Sequence, residues 1–465
     1  MTARGSLNFS ATRLGASVGI IAPKSETDTS HRRARIVVTT HGSLGDLHPY
    51  VAIALGLKAR GHEAILATGE CYRKKIESLG LGFRPVRPDS DWVTQPDVMR
   101  RITHPRWGLV RVLREVYMSV LRETYEDLLA AAEGADLLVT MQANYAARLV
   151  AEKKGMPWAS AIHMPIGFLS AYDPPPLPVF PNLSRSLRFL GPSFCKPVIG
   201  LIKWASRVWA KPLHRLRDEI GLPPDTTLNP LSDGHAPLLH LALFSKWIAA
   251  KQPDWPPQAI VTGFPWYDQD GAGGLPAELA RFLDEGPPPI VFTLGTAISE
   301  GAGAPEFFEH SAAAANLLGC RAVLIINDPR NRPPVLPTDV VAFDYAPFSQ
   351  LFPRAAAIVH HGGIGTIGLA MRSGHPMLVM PCAWDQPDNA ERAARLGISR
   401  TIHRRRYTPD RVAAELRLLL EGPAYSERAA EVGEKVRQED GVGRACEAIE
   451  ALLQTAVCHA VVESR

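Results

Sequence analysis

The chain has only six cysteines in 465 residues (Cys71, Cys195, Cys320, Cys382, Cys446 and Cys458), with no C-x-x-C and no zinc-like Cys/His spacing. A disulfide framework and a structural metal are therefore not expected, and the usage suits a reducing, cytoplasmic compartment. No apolar run approaches the ~20 uncharged residues that cross a bilayer, so a membrane-spanning protein is excluded. An excess of one charge is also missing: 51 Lys and Arg stand against 47 Asp and Glu, a net of +4, interspersed along the chain. Without a basic stripe, nucleic acid is not an expected partner. What remains is length for two large domains, 46 % hydrophobic residues, and 40 prolines that call for long ordered loops.

Residues 1–34 lack sustained periodicity and read as a disordered extension or an over-long start, since Leu14 to Ala22 is too short an apolar core for a secretory signal. From Arg35 the pattern becomes regular. A buried strand (Arg35 to Thr40), a helix from Pro49 to Arg60 ended by Gly61, and a strand from Ala64 to Thr68 make a βαβ unit. Asp136 to Thr140, Tyr145 to Gly155 and Trp158 to Ile162 repeat the alternation. A proline-rich stretch at 174–178 precedes an amphipathic segment, Lys196 to Gly221, with Lys203, Arg207 and Lys211 among apolar residues. Pro, Asp and Gly between Lys251 and Gly274 mark an interdomain connection, after which strands recur at 289–296, 322–326, 340–343, 357–360 and 377–380. The expected fold is α/β: two doubly wound Rossmann-like domains, 35–262 and 263–465, facing across a cleft. A ligand belongs in that cleft, at the carboxyl ends of the strands.

Three segments carry chemistry. His360-His361-Gly362-Gly363-Ile364-Gly365-Thr366 lies between a strand and a helix, where glycines let a phosphate approach backbone N–H groups at a helix N-terminus. Gly363-x-Gly365-x-x-Gly368, with Asp385 22 residues on, also fits a dinucleotide fingerprint, so an oxidoreductase is an alternative. A ligand-free turn is another. In Pro381-x-x-x-Asp385-Gln386 a carboxylate and an amide suit sugar hydroxyls, or a cap for the helix near Asn389. In Thr40-His41-Gly42-Ser43-Leu44-Gly45-Asp46, Asp46 is either a helix cap or a general base facing the cleft.

Taken together, G-S-x-G-D-x-x-P, H-H-G-G-x-G-T and P-x-x-x-D-Q resemble the bacterial members of glycosyltransferase family 1, which have the GT-B fold and include sterol glucosyltransferases and macrolide and glycopeptide glycosyltransferases. The likeness runs from about Arg35 to residue 455. Asp254-Trp-Pro-Pro257, Thr262-Gly-Phe-Pro265, Tyr345-Ala-Pro347 and Asp388-Asn-Ala-Glu-Arg392 most resemble the rhamnosyltransferase of rhamnolipid synthesis. The resemblance implies inverting transfer of a hexosyl group, rhamnosyl or glucosyl, from a UDP- or dTDP-sugar to an acceptor hydroxyl, with no metal or other cofactor. It makes 35–262 the acceptor-binding domain and 263–465 the donor-binding domain, with the last helix packing back on the first. Asp46 falls on the base position. The aspartate that orients the base of plant members is missing from Val139 to Ala143, leaving Asp46 alone or with His41 or His163.

On the donor side the resemblance assigns Gly295, Thr296, Gly363, Gly365 and Thr366 to the phosphates, Asp385 and Gln386 to the sugar, and Tyr345 to the neighbourhood of the base. His361 fits the diphosphate histidine through its 24-residue spacing to Asp385, and His360 fits the rhamnosyltransferase register. Leu369 stands where many members hold ribose with a glutamate, which leaves UDP and dTDP open. The metal-dependent alternative uses D-x-D, and Asp89-Ser-Asp91 and Asp268-Gln-Asp270 both lie in loops typical of solvated acids. Acceptor contacts are expected from His41, Ser43, His163, Phe168 and Tyr172, with Trp92, Trp107, Met164 and Phe180 on nearby loops, a set suited to a lipophilic acceptor. The basic segment 196–217 is read as packing, an acceptor lid, or a peripheral membrane contact.

Overall fold

The computed structural model describes residues 33–89, 92, 95–176, 188–231, 236, 238–267, 274–295, 298 and 305–463. Residues 1–32, most of the expected extension, lie outside them, as do Asp91, Phe180, Asp268 to Asp270 and Thr296.

Short runs of Val, Ile, Leu and Ala, buried on both faces, make all-parallel sheets because crossover helices cover each side. The first sheet contains β1 (Arg35–Thr39), β2 (Glu63–Thr68), β3 (Gly82–Pro85), β4 (Leu137–Met141), β5 (Trp158–Ile162), β6 (His240–Ala242) and β7 (Ala259–Val261). Its strand order is β3-β2-β1-β4-β5-β6-β7. The second contains β8 (Ile290–Thr293), β9 (Ala322–Ile325), β10 (Val340–Phe343), β11 (Ala357–His360), β12 (Met377–Val379) and β13 (Ser399–Thr401), ordered β10-β9-β8-β11-β12-β13. In both, the order reverses beside the first strand, so β1/β4 and β8/β11 open crevices at their carboxyl ends.

One hydrophobic cluster joins the halves, with Phe168, Phe244 and Trp255 of the first packed in continuity with Phe352, Ile358 and Met371 of the second. Helix α1 (Leu44–Ala59) begins five residues before Pro49, which lies inside it. Ser43 is its N-cap and Asp46 its third residue, an S-x-x-D pairing that starts a helix without help from proline. Asp46 therefore sits in the first helical turn, and not in a loop ahead of it. The C-terminal helix runs Gly441–Glu463 and buries Ala445, Cys446 and Ile449 in the core of the first sheet. Gly56 of α1 permits that approach, since a Cβ there would lie 2.6 Å from Val442 and 2.9 Å from Cys446. Among the described residues no helix is long and apolar enough to cross a membrane.

Candidate active site

After β1 the chain turns at Gly42 (φ 112°), where a side chain would strike the Asp46 carboxylate within 2.4 Å. Glycine leaves that carboxylate room to fold back over the turn. Its Oδ2 accepts from the Ser43 backbone N–H (2.8 Å) and hydroxyl (2.9 Å), so Ser43 braces Asp46. The Oδ1 lies 3.0 Å from Nε2 of His163, which follows β5, two strands away. His163 is buried and its Nδ1 has no hydrogen-bond partner, while Asp46 is 25 % exposed. Asp46 and His163 therefore form a carboxylate–imidazole pair whose accessible member is the carboxylate. His41 is deeply buried, and burial pulls its pKa down to about 4 against the opposing influence of Asn144 and Asp46. Asn144 is close enough to favour the charged ring, but neither ring nitrogen meets a partner in hydrogen-bonding geometry. His41 is thus neutral at pH 7 and part of the wall behind Asp46, beside Tyr117 (ring centroids 6.2 Å apart).

On the other side the two histidines part. His360, the last residue of β11, accepts from the Gly362 N–H at Nδ1 (3.0 Å) and lies 3.5 Å from the Met377 sulfur at Nε2, so both nitrogens are occupied inside the core. The His361 ring sits between two glycines: a Cβ at Gly295 or at Gly363 would come within 2.6 Å of it. Its Nδ1 is unpartnered, and burial lowers its pKa to about 4. Gly363 caps helix α2 (Ile364–Ser373) without a side chain, so no side chain competes for the N–H groups of the first turn, which includes Gly365 and Thr366. Tyr345, after β10, is 48 % exposed.

Asp385 N-caps helix α3 (Gln386–Arg395). Its carboxylate accepts from Asn389 Nδ2 (2.6 Å), which also reaches the Gly362 carbonyl (3.0 Å) and so ties the helix to the glycine loop. Burial raises the Asp385 pKa to about 6; Asn389 and His163 oppose the rise and Asp46 adds to it. Influence from both Asp46 and His163 puts the two sides in one electrostatic environment. Gln386 is turned inward, its Oε1 accepting from the N–H groups of Cys382 (2.8 Å) and Ala383 (3.0 Å), which leaves only its NH2 for a ligand. The expected acceptor contact Phe168 is corrected to a core residue, stacked on Trp255 at 3.7 Å with its side chain buried. Tyr172 is exposed at the surface and accepts from Lys196 (3.3 Å).

The halves are held together by residues with no expected role. Trp384, in a left-handed conformation (φ 54°) next to Asp385, donates its indole N–H to the Ile102 carbonyl (3.0 Å) and packs on Met99 and Ile102. Arg392 is 3 % exposed and pairs with Asp388 (2.8 Å) and with Asp173 of the first half, which also holds Arg395 (2.8 Å). The i,i+4 spacing of Asp388 and Arg392 was a usable signal; Asp173 left none.

Two doubly wound parallel-sheet domains, with the Asp46 carboxylate at the start of α1 and a glycine-rich loop after β11, are the architecture of the GT-B class of glycosyltransferase. The chain matches the description "Glycosyltransferase family 28 N-terminal domain" over residues 36–167 and "Erythromycin biosynthesis protein CIII-like, C-terminal domain" over 318–446. It is 33 % identical to O-mycaminosyltylonolide 6-deoxyallosyltransferase of Streptomyces fradiae, across 90 % of this chain and 98 % of that enzyme. It is 26 % identical to a sterol 3-beta-glucosyltransferase of Gibberella zeae, across 89 % of this chain and 29 % of that longer protein. Among solved structures, the glycotransferase of kitacinnamycin superposes with a TM-score of 0.66 at 24 % identity, covering 90 % of this chain and 99 % of that one. VinC, solved with dTDP, gives a TM-score of 0.62 at 21 % identity, covering 90 % and 100 %. This protein belongs to the GT-B glycosyltransferases of family 1 and is a nucleotide-sugar-dependent glycosyltransferase. The oxidoreductase alternative finds no support among these relatives.

Removing one partner of a buried ion pair strands the other, at a cost of about 3–5 kcal/mol. Arg392→Ala is therefore expected to lose that much stability in urea unfolding. Arg395→Ala, 41 % exposed, should lose less than about 1 kcal/mol. Equally small losses would mean that the Arg392 network is solvated.

Proposed function

We propose that the chain transfers a hexosyl or 6-deoxyhexosyl group from a dTDP- or UDP-sugar to a hydroxyl of a lipophilic acceptor, with inversion and without a divalent ion. The observation that carries this reading is the braced Asp46–His163 pair facing Asp385 and the His361 loop. As the acceptor oxygen attacks the anomeric carbon, its proton passes to Asp46, and the bond from that carbon to the diphosphate breaks. His163 holds the carboxylate in place. The leaving diphosphate gathers charge, met by the free amides at the start of α2 and by His361, a neutral donor because of its burial. His360 acts from inside the core as a support for the loop. Asp385 accepts from sugar hydroxyls. The deoxyallosyl donor and macrolide acceptor in the name of the Streptomyces fradiae relative, and the sterol in that of the fungal one, support a bulky lipophilic alcohol.

The test is a panel of dTDP- and UDP-sugars with macrolide, sterol and monosaccharide acceptors, run in EDTA, with products identified by mass and anomeric configuration. Transfer to a lipophilic alcohol in EDTA is the expected result. Activity restored only by manganese, or equal turnover of free monosaccharides, would overturn the reading.

With a pKa near 6, Asp385 is ionised at pH 7 and mostly protonated at pH 5. Its strength as an acceptor is lost as pH falls, so donor affinity should drop up to about tenfold over that interval. In Asp385→Asn the affinity should be weak at both pH values. Titrating donor binding from pH 7 to 5 in both proteins checks this, and an identical pH dependence would contradict it.

A further inference from the structure

Helix α4 (Pro192–Ser206) turns apolar residues outward, against the usual pattern for a surface helix. Cys195 and Ile199 point inward to a small cluster with Leu169 and Ala171. On the opposite face Phe194, Pro197, Leu201, Trp204 and Val208 follow one another at helical spacing and are all exposed, Leu201 at 62 % and Trp204 at 65 %. No described residue covers them.

The charge around this stripe indicates its partner. Between Asp173 and Asp218 the chain has eight Lys and Arg and no Asp or Glu. Lys196, Arg207 and Lys211 are exposed, and neither Arg207 nor Lys211 pairs with a carboxylate among the described residues. A second copy laid face to face would bring like charges together. An acidic lipid surface supplies both what the charges lack and what the apolar residues need: anionic headgroups at the margins and acyl chains below.

We propose that the outer face of α4 docks in the plane of an anionic lipid bilayer, with Leu201 and Trp204 inserted and Lys196, Arg207 and Lys211 on the headgroups. The helix meets the rim of the cleft through Tyr172, bonded to Lys196, whose neighbour Asp173 is held by Arg392. Docking would therefore bring the acceptor side of the cleft to the phase in which lipophilic alcohols dissolve. That consequence rests on the proposed acceptor class; the docking itself does not.

Co-sedimentation of the full chain with phosphatidylcholine vesicles and with phosphatidylglycerol-rich vesicles, which needs no substrate, tests the proposal. The expected result is binding to the anionic vesicles only, weakened by salt. A Leu201→Gln/Trp204→Gln variant should bind at least tenfold more weakly. A Lys196→Glu/Arg207→Glu/Lys211→Glu variant should also lose more than tenfold, each charge near the surface being worth about fivefold. All changes lie on exposed positions, and unaltered melting temperatures will show that the variants fold. Absence of wild-type binding to anionic vesicles, or binding by either variant as tight as that of the wild type, would overturn the proposal. So would a wild-type dimer in light scattering that the Gln variant turns into a monomer, which would assign the face to a second copy.

Discussion

The buried guanidinium of Arg392 is the interaction on which the site's geometry depends. It lies out of water between Asp388 on its own helix and Asp173 on the opposite half, so losing either contact would leave charge stranded in the interior. Seven residues before it, Asp385 starts the same helix, and Trp384 reaches across to the Ile102 carbonyl. Two ties on one short segment thus fix the Asp385 carboxylate against the first half. Asp46 and His163 then fall close enough to act on the ionisation of Asp385.

Chemistry follows from how each carboxylate is shared. Asp46 gives one oxygen to Ser43 and the other to His163, so its position is set from two elements while it stays open to the cleft. The structural and chemical readings of this residue are therefore compatible: the capping contacts that start α1 also aim the carboxylate proposed as the base. In the second half, His361 is packed between glycines and Asn389 stitches helix to loop, so the amides proposed to meet the diphosphate are held in place by the fold itself.

Much of this was legible in the sequence because it is local. The central strands read directly as apolar runs, and glycine loops after β1 and β11 marked the two faces of the cleft. The strands β3, β6, β7 and β13 were not read: β3, β6 and β13 mix glycine or polar residues into three or four positions, and β7 lies inside the stretch rich in Pro, Asp and Gly that reads as a connection. Local spacing also could not show which way a side chain turns. Phe168 joined the core and Gln386 folded back on its own loop for reasons of packing and backbone satisfaction that arise only in three dimensions. Long-range partners stayed hidden for the same reason: His163 lies 117 residues from Asp46, and Asp173 lies 219 from Arg392.

The central claim is that Asp46 accepts the proton of the attacking hydroxyl. Steady-state transfer by Asp46→Asn measures it most directly, because asparagine keeps the shape and caps helices about as well as aspartate. Turnover should fall by about 10²–10⁴-fold with an unchanged melting temperature. Near-normal turnover in the folded variant would contradict it and leave Asp46 as a helix cap alone.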